Sequence, residues 1–314
     1  MHVPWYLYLP IAGSSVNILL VLSLGLLVGL LSGIFGVGGG FLMTPLLIMI
    51  GIPPTVAAAS DSNQIVGAST SGTIAHFRLG NVDFKMGILL LIGGVMGGTV
   101  GVQIIKVLRQ LGNADFLIKI TYVLMLGFIG SYMLMESLQS LKKGQKEVEV
   151  TETPIPAQES KYAQLVKKLP FQTDFTRSGV RLSILMPLVL GVFVGILAAI
   201  MGVGGGFIMV PVMVYLLRMP MHVVVGTSLF QILFTCIDVT IMQAYTNHTV
   251  DFVLALLLLL GSTVGAQFGA KISKKLKGEQ IKIFLAILVL LVMVKMLLGL
   301  LLPPKVFLAY TGGH

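Results

Sequence analysis

Gly36-Val37-Gly38-Gly39-Gly40-Phe41 recurs, residue for residue, as Gly202-Val203-Gly204-Gly205-Gly206-Phe207. A proline follows four residues later in each copy, Pro45 and Pro211. Reading outward from this pair, the echo continues in order. Ser60-Asp61-Ser62-Asn63-Gln64-Ile65 faces Thr227-Ser228-Leu229-Phe230-Gln231-Ile232. Val82-Asp83-Phe84 returns as Val250-Asp251-Phe252, and Thr99-Val100-Gly101-Val102-Gln103 as Thr263-Val264-Gly265-Ala266-Gln267. The offset stays between 164 and 168 throughout, which chance does not arrange. Two copies of one structural unit are therefore expected, 1–138 and 180–314, joined by a linker at 139–179.

Each copy is built for a bilayer. The chain is 56% hydrophobic and only 11% charged, against roughly 25% charged in soluble domains. A hydrocarbon core of about 30 Å takes about 20 apolar residues per helix. Windows of that kind predict helices near 16–35, 41–51, 56–77, 84–107 and 116–138, then near 181–201, 207–218, 222–245, 251–272 and 280–302. The expected fold class is an all-α integral membrane protein. About ten helices form two inverted five-helix repeats, with short broken helices after the Gly-rich motifs. The segments 41–51 and 207–218 are too short to span unaided, and hydropathy leaves open whether they cross. No cleavable leader is read at the N-terminus: the first fifteen residues lack Lys and Arg, and the apolar run from Val16 leads into glycines rather than a small-residue cleavage site. The expected location is the cell membrane, multi-pass. The single cysteine, Cys236, cannot form an intramolecular disulfide and reads as a small packing residue.

Five crossings per unit would give the two copies opposite orientations. With the N-terminus outside, fifteen Lys and Arg fall in inside segments, among them seven in the linker and five between Lys271 and Lys282. Lys106, Arg109, Lys119 and Lys305 fall outside. That bias satisfies the positive-inside rule. A count of four crossings per unit would instead put the 271–282 lysines outside whenever the linker is inside. The net charge of +9 is then a topology signal beside an anionic leaflet, with no need for nucleic acid as a partner. The linker mixes charges and prolines and reads as a solvated tether with one short surface helix at 159–169.

The glycine clusters carry the first chemical suggestion. Four glycines in five residues disfavour helix, each by about 1 kcal/mol relative to Ala. One helix should end there and another begin at the phenylalanine. The first N–H groups of such a helix lack intrahelical acceptors and favour anions. Inverted-repeat carriers place paired broken helices around a central substrate site. On that reading Gly36, Gly38, Gly39, Gly40 and Phe41, with Gly202, Gly204, Gly205, Gly206 and Phe207, border the substrate. The same glycines would also suit close helix packing or a hinge. No Gly-Lys-Ser/Thr follows, so a nucleotide loop is not indicated.

Polar residues inside membrane helices face a bundle interior or a wet cavity. Ser60, Asn63, Gln64, Thr227, Ser228 and Gln231 are candidates to line the pathway, as are Gln103 and Gln267 at matching places in their helices. The alternative is hydrogen bonding between helices. Asp61 and Asp238 are the intramembrane carboxyls, costly to keep ionised at that depth. They are the proton-coupling candidates, or else neutral hydrogen-bonding groups. Lys295 reads as snorkelling to the interface. The five histidines show no metal-ligand spacing, and no nucleophile set or cofactor motif is found. Nothing in the sequence specifies the oligomeric state.

The doubled Gly-Val-Gly-Gly-Gly-Phe-x-x-x-Pro motif, with Val-Gly-Thr-Ser-Leu-Phe-Gln-Ile at 225–232, resembles the TauE/SafE sulfite-exporter family, also called the toluene-sulfonate uptake permeases. The resemblance covers about residues 16–302. It implies no enzyme but a secondary transporter, expected to export small sulfur-containing anions such as sulfite or organosulfonates by alternating access coupled to an ion or proton gradient. A passive channel or facilitator for small anions is the alternative. By position, the family's motif residues fall on the glycines above, on Pro45 and Pro211, and on Thr227 and Ser228. The first copy departs from the pattern with Ser60-Asp61, an acid where a hydroxyl is expected.

Overall fold

The computed structural model describes residues 5–35, 40–142, 170–273 and 278–301. Its first half runs β1 (Tyr6–Leu9), β2 (Ser14–Asn17), α1 (Ile18–Phe35), α2 (Gly40–Met49), α3 (Pro54–Arg78), α4 (Phe84–Gln110) and α5 (Ala114–Lys142). The second half repeats the order: β3 (Gln172–Phe175), β4 (Val180–Ser183), α6 (Leu185–Met201), α7 (Gly206–Pro211, continued by a π turn Val212–Leu216), α8 (Met221–Met242, continued by a π turn Gln243–Asn247), α9 (Phe252–Ser273) and α10 (Gly278–Leu301). All ten expected helices are present, so the chain is an all-α membrane protein with two small hairpins. Five helices are long and apolar enough to cross a membrane among the described residues, drawn from α4, α5, α8, α9 and α10. At 1.5 Å per residue, the ten residues of α2 reach about half of a 30 Å core.

The two hairpins correct the sequence reading. Residues 16–17 and 181–183, expected as helix starts, are strand. Each hairpin pairs antiparallel, Tyr6 with Asn17 and Gln172 with Ser183. The turns pass through Gly13 and Gly179 at positive φ, where a side chain would be strained. The stretch expected as linker also supplies the end of α5 and strand β3. The surface helix expected at 159–169 lies outside the described residues.

The halves interdigitate. The most extensive helix pairings are α1 with α9 and α4 with α6, each joining one half to the other. Glycine makes both possible. A Cβ at Gly29 would sit 2.2 Å from the Ser262 carbonyl oxygen, and one at Gly265 2.1 Å from that of Leu26. In the matching pair, a Cβ at Gly97 would sit 2.0 Å from the Val192 oxygen, and one at Gly195 2.2 Å from that of Gly94. Backbone meets backbone at these crossings, so small residues at four-residue spacing are obligatory. Direction follows from the same contacts. Gly93, Gly97 and Gly101 lie on Leu188, Val192 and Ile196 in turn, so α4 and α6 run parallel. Gly127 meets Met293 and Gly130 meets Leu290, so α5 and α10 run antiparallel. Antiparallel too are α3 and α8, where Gly72 meets Leu229 and Gly226 meets His76.

Candidate functional site

The two motif copies come together at their phenylalanines. Phe41 and Phe207, both buried, stack with ring centroids 5.6 Å apart and planes inclined by 28°. Gly40, at the start of α2, lies against α3. A Cβ there would sit 2.4 Å from Ile65 Cδ1 and 3.5 Å from Asp61 Oδ2. Glycine thus lets the start of α2 close on Ile65, beside the Asp61 carboxyl. Gly36, Gly38 and Gly39 lie outside the described residues.

Asp61 is wholly buried. Its Oδ2 accepts a hydrogen bond from Thr44 Oγ1 at 2.9 Å. Its Oδ1 has no hydrogen-bond partner, a condition that costs about 1–3 kcal/mol for a buried polar atom, and more if charged. Tyr122 on α5 and Cys236 on α8, also buried, are near enough to sense the charge of that carboxyl. The Tyr122 hydroxyl donates to the carbonyl of Met201, the last residue of α6.

The second glycine cluster begins at that carbonyl. Gly202, Gly204 and Gly205 all have positive φ, 73°, 67° and 74°, so the chain turns sharply between α6 and α7 as only glycine readily does. A Cβ on Gly202 would overlap the Ala58 carbonyl of α3 at 2.0 Å; one on Gly204 would meet Cys236 Sγ at 2.6 Å and Ile232 at 2.8 Å. Gly206 and Phe207 are buried beside them. Gly40 of the first cluster and Gly202 of the second therefore pack on α3, and Gly204 packs on α8.

The polar positions of α3 and α8 divide into three sets. Ser60 Oγ accepts the Asp251 N–H at 3.2 Å, and Thr227 Oγ1 accepts the Asp83 N–H at 3.0 Å, each across the two halves. An accepting hydroxyl keeps its own proton for donation. Gln64 donates to Ser262 at 2.6 Å and Gln231 to Thr235 at 2.8 Å; both amides are buried, with Oε1 unpartnered. Ser228 bonds within its own helix, to Val225, and Asn63 is half-buried. Asp238 is half-buried with Oδ2 unpartnered, and lies 3.1 Å from a Cβ built on Gly98. Gln103 and Gln267 point away from this cluster and are exposed. Lys295 is exposed on α10. No group of three or more His, Cys, Asp or Glu that could hold a metal occurs among the described residues.

Sequence reasoning did not single out Thr44, Tyr122 or the α4 glycines. Gly94 and Gly98 make room for Gln231, Thr235 and Asp238; a Cβ at Gly94 would fall 2.6 Å from Thr235 Oγ1. The usable signal was the four-residue spacing Gly94-x-x-x-Gly98 facing a polar stripe on α8.

Residues 21–296 match the family described as Sulfite exporter TauE/SafE. The chain belongs to that family. It is 25% identical over 284 residues to the Probable membrane transporter protein YunE of Bacillus subtilis, covering 88% of this chain and 96% of that protein. Similarity to YjnA of the same organism is 28% over 279 residues, covering 88% and 97%. Sulfite exporter TauE/SafE family protein 1 of Arabidopsis thaliana is 33% identical over a shorter stretch of 107 residues, 34% of this chain and 24% of that protein. No solved structure matches significantly. This TauE/SafE chain is a multi-pass membrane transporter and not an enzyme.

Proposed function

We propose that this TauE/SafE protein is a proton-coupled secondary carrier that exports small sulfur-containing anions, sulfite or organosulfonates, by alternating access. The observation that supports this most directly is the Asp61 carboxyl, wholly buried against the first glycine break with one oxygen unpartnered. A fixed charge there would repel an anion in a poorly screened interior. Protonation removes the charge, so proton and anion favour one another's binding, which linkage turns into co-movement. The net direction follows the two gradients, and export results when the anion is in excess inside. The substrate would lie between the two glycine clusters, with Ser60, Thr227, Gln64 and Gln231 as neutral partners and Asp238 as a second protonatable group. The antiparallel pairing of α5 with α10 and of α3 with α8 supports two units of opposite orientation, each contributing one half of the pathway.

Reconstituted protein tests the reading. Proteoliposomes with an alkaline lumen should accumulate radiolabelled sulfite or taurine from an acidic medium, with saturation and with counterflow exchange at equal pH. Flux that follows the anion gradient alone, unsaturated and indifferent to pH, would establish a passive channel instead.

A further inference from the structure

We infer that Tyr122 is a positioning residue of this site, tying the coupling carboxyl of the first half to the glycine break of the second; the inference rests on the carrier reading above. The last carbonyls of a helix lack intrahelical partners. At the end of α6 the Met201 carbonyl finds its donor in the Tyr122 hydroxyl, from a different half of the chain. The next residue is Gly202, where the chain enters its left-handed turn. The same hydroxyl lies within hydrogen-bond reach of Thr44, and Thr44 in turn donates to Asp61. One wholly buried phenol thus stands between Thr44, on the helix that follows the first glycine motif, and the residue that enters the second.

The arrangement exists in one direction. The residue before the motif proline is Thr44 in the first copy and Val210 in the second. Asp61 matches Ser228, and α10, the partner of α5, contains no tyrosine. Two units of similar backbone therefore carry this carboxyl and this tie once, without a counterpart of either at the matching position. An ordinary helix cap would need neither Asp61 nor Thr44 beside it. Among the described residues, Thr44 from α2 hydrogen-bonds Asp61, and the titratable groups near enough to sense its charge are Tyr122 from α5 and Cys236 from α8. A change in the Asp61 proton is therefore felt by the group that holds the end of α6, and the second glycine turn responds to the charge state of the first half.

Tyr122→Phe removes the hydroxyl and keeps the ring. In proteoliposomes with radiolabelled sulfite, counterflow should persist while accumulation driven by the pH gradient falls about tenfold, the scale set by one buried hydrogen bond. Asp61→Asn loses that accumulation altogether, and adding Tyr122→Phe to it should leave its counterflow unchanged, because both act on one step. Wild-type accumulation by Tyr122→Phe, or a further fall in counterflow in the double variant, would overturn the role. A second arm needs no substrate. Cys236, the single thiol, is buried against Gly204, so its maleimide labelling reports opening at the second glycine turn. In the wild type the labelling rate should change between acid and alkaline pH; in Tyr122→Phe that dependence should flatten. A pH dependence of labelling identical in both proteins would overturn the inference even if sulfite transport is intact. Absence of sulfite transport by the wild type would sink the carrier reading and leave the labelling arm to decide Tyr122 alone. Should Tyr122→Phe fail to fold, Thr44→Val, which removes the hydroxyl between Asp61 and Tyr122, should flatten the same labelling profile, and an unflattened profile would again overturn the inference.

Discussion

The Asp83 carboxyl receives two hydrogen bonds from Ser178, one from its N–H at 3.1 Å and one from its Oγ–H at 2.5 Å, although the two residues are 95 positions apart. Its other oxygen caps α4 by accepting the Met86 N–H at 3.1 Å. Asp251 repeats the device: one oxygen caps α9 through the Leu254 N–H, and the other accepts the N–H of Ile11. Ser178 and Ile11 occupy the turns of the two hairpins, so each half holds down the hairpin of the other. Asp83→Ala should therefore destabilise the protein by about 1–2 kcal/mol through the lost cap alone. It should also raise amide exchange in β3 and β4 while leaving β1 and β2 unchanged; Asp251→Ala should do the reverse. Equal loosening of both hairpins by either variant would contradict the reciprocal tie.

Glycines within helices should differ sharply in tolerance. Alanine at Gly97 or Gly265 places a Cβ 2.0 or 2.1 Å from a facing backbone oxygen, and no side-chain rotation relieves that. Both variants should lose thermal stability and expression. Gly299, with nothing within 4 Å of its notional Cβ, should accept alanine without loss, and gain slightly from helix propensity. Gly204→Leu addresses the site: it demands positive φ and displaces Cys236 and Ile232. Transport should vanish in this variant, and a uniform size-exclusion profile would separate that loss from unfolding. Normal sulfite flux through Gly204→Leu would remove the second glycine turn from the pathway.

Much of this architecture was legible because it rests on repeats and apolar length. The ten helices followed from runs of about 20 apolar residues and from the doubled glycine motif. The hairpins were not legible: four-residue strands such as Tyr6–Leu9 are too short for a period of two to stand out, and they merge into the apolar run that follows. Within the site, Asp61 stood out as a charge in an apolar helix. Tyr122 did not, because a tyrosine in a membrane helix is unremarkable until its hydroxyl is seen to meet the end of α6. Ser60 and Thr227 were visible as polar residues, but which N–H each accepts depends on contacts across 191 and 144 positions. No local spacing encodes such contacts.

Opposite orientation of the two units makes a topological demand. Cysteines placed at 113 and at 275, one at a time in a Cys236→Ala background, should be labelled by an impermeant maleimide from opposite sides of the membrane. In intact cells the cysteine at 113 should react, and the one at 275 should react only after permeabilisation. Reaction of both from outside would exclude the inverted arrangement and favour four crossings per unit.

The decisive substitution is Asp61→Asn. It resembles the protonated carboxyl, retains an acceptor for the Thr44 hydroxyl, and removes the group that would have to shed a proton before the empty site returns. If protonation admits the anion, the asparagine variant should bind sulfite with little dependence on pH, because the charge that opposed binding at alkaline pH is gone. It should exchange bound for free anion, since the loaded site still reorients. Accumulation up a gradient needs the proton to leave on the alkaline side, and an amide has none to give; pH-driven uptake should therefore be lost while counterflow continues. The two assays on one preparation separate coupling from folding, because a misfolded protein fails both. Full pH-driven accumulation by Asp61→Asn would show that another group couples the proton. Asp238, whose Oδ2 also lacks a partner, would then be the carboxyl to replace.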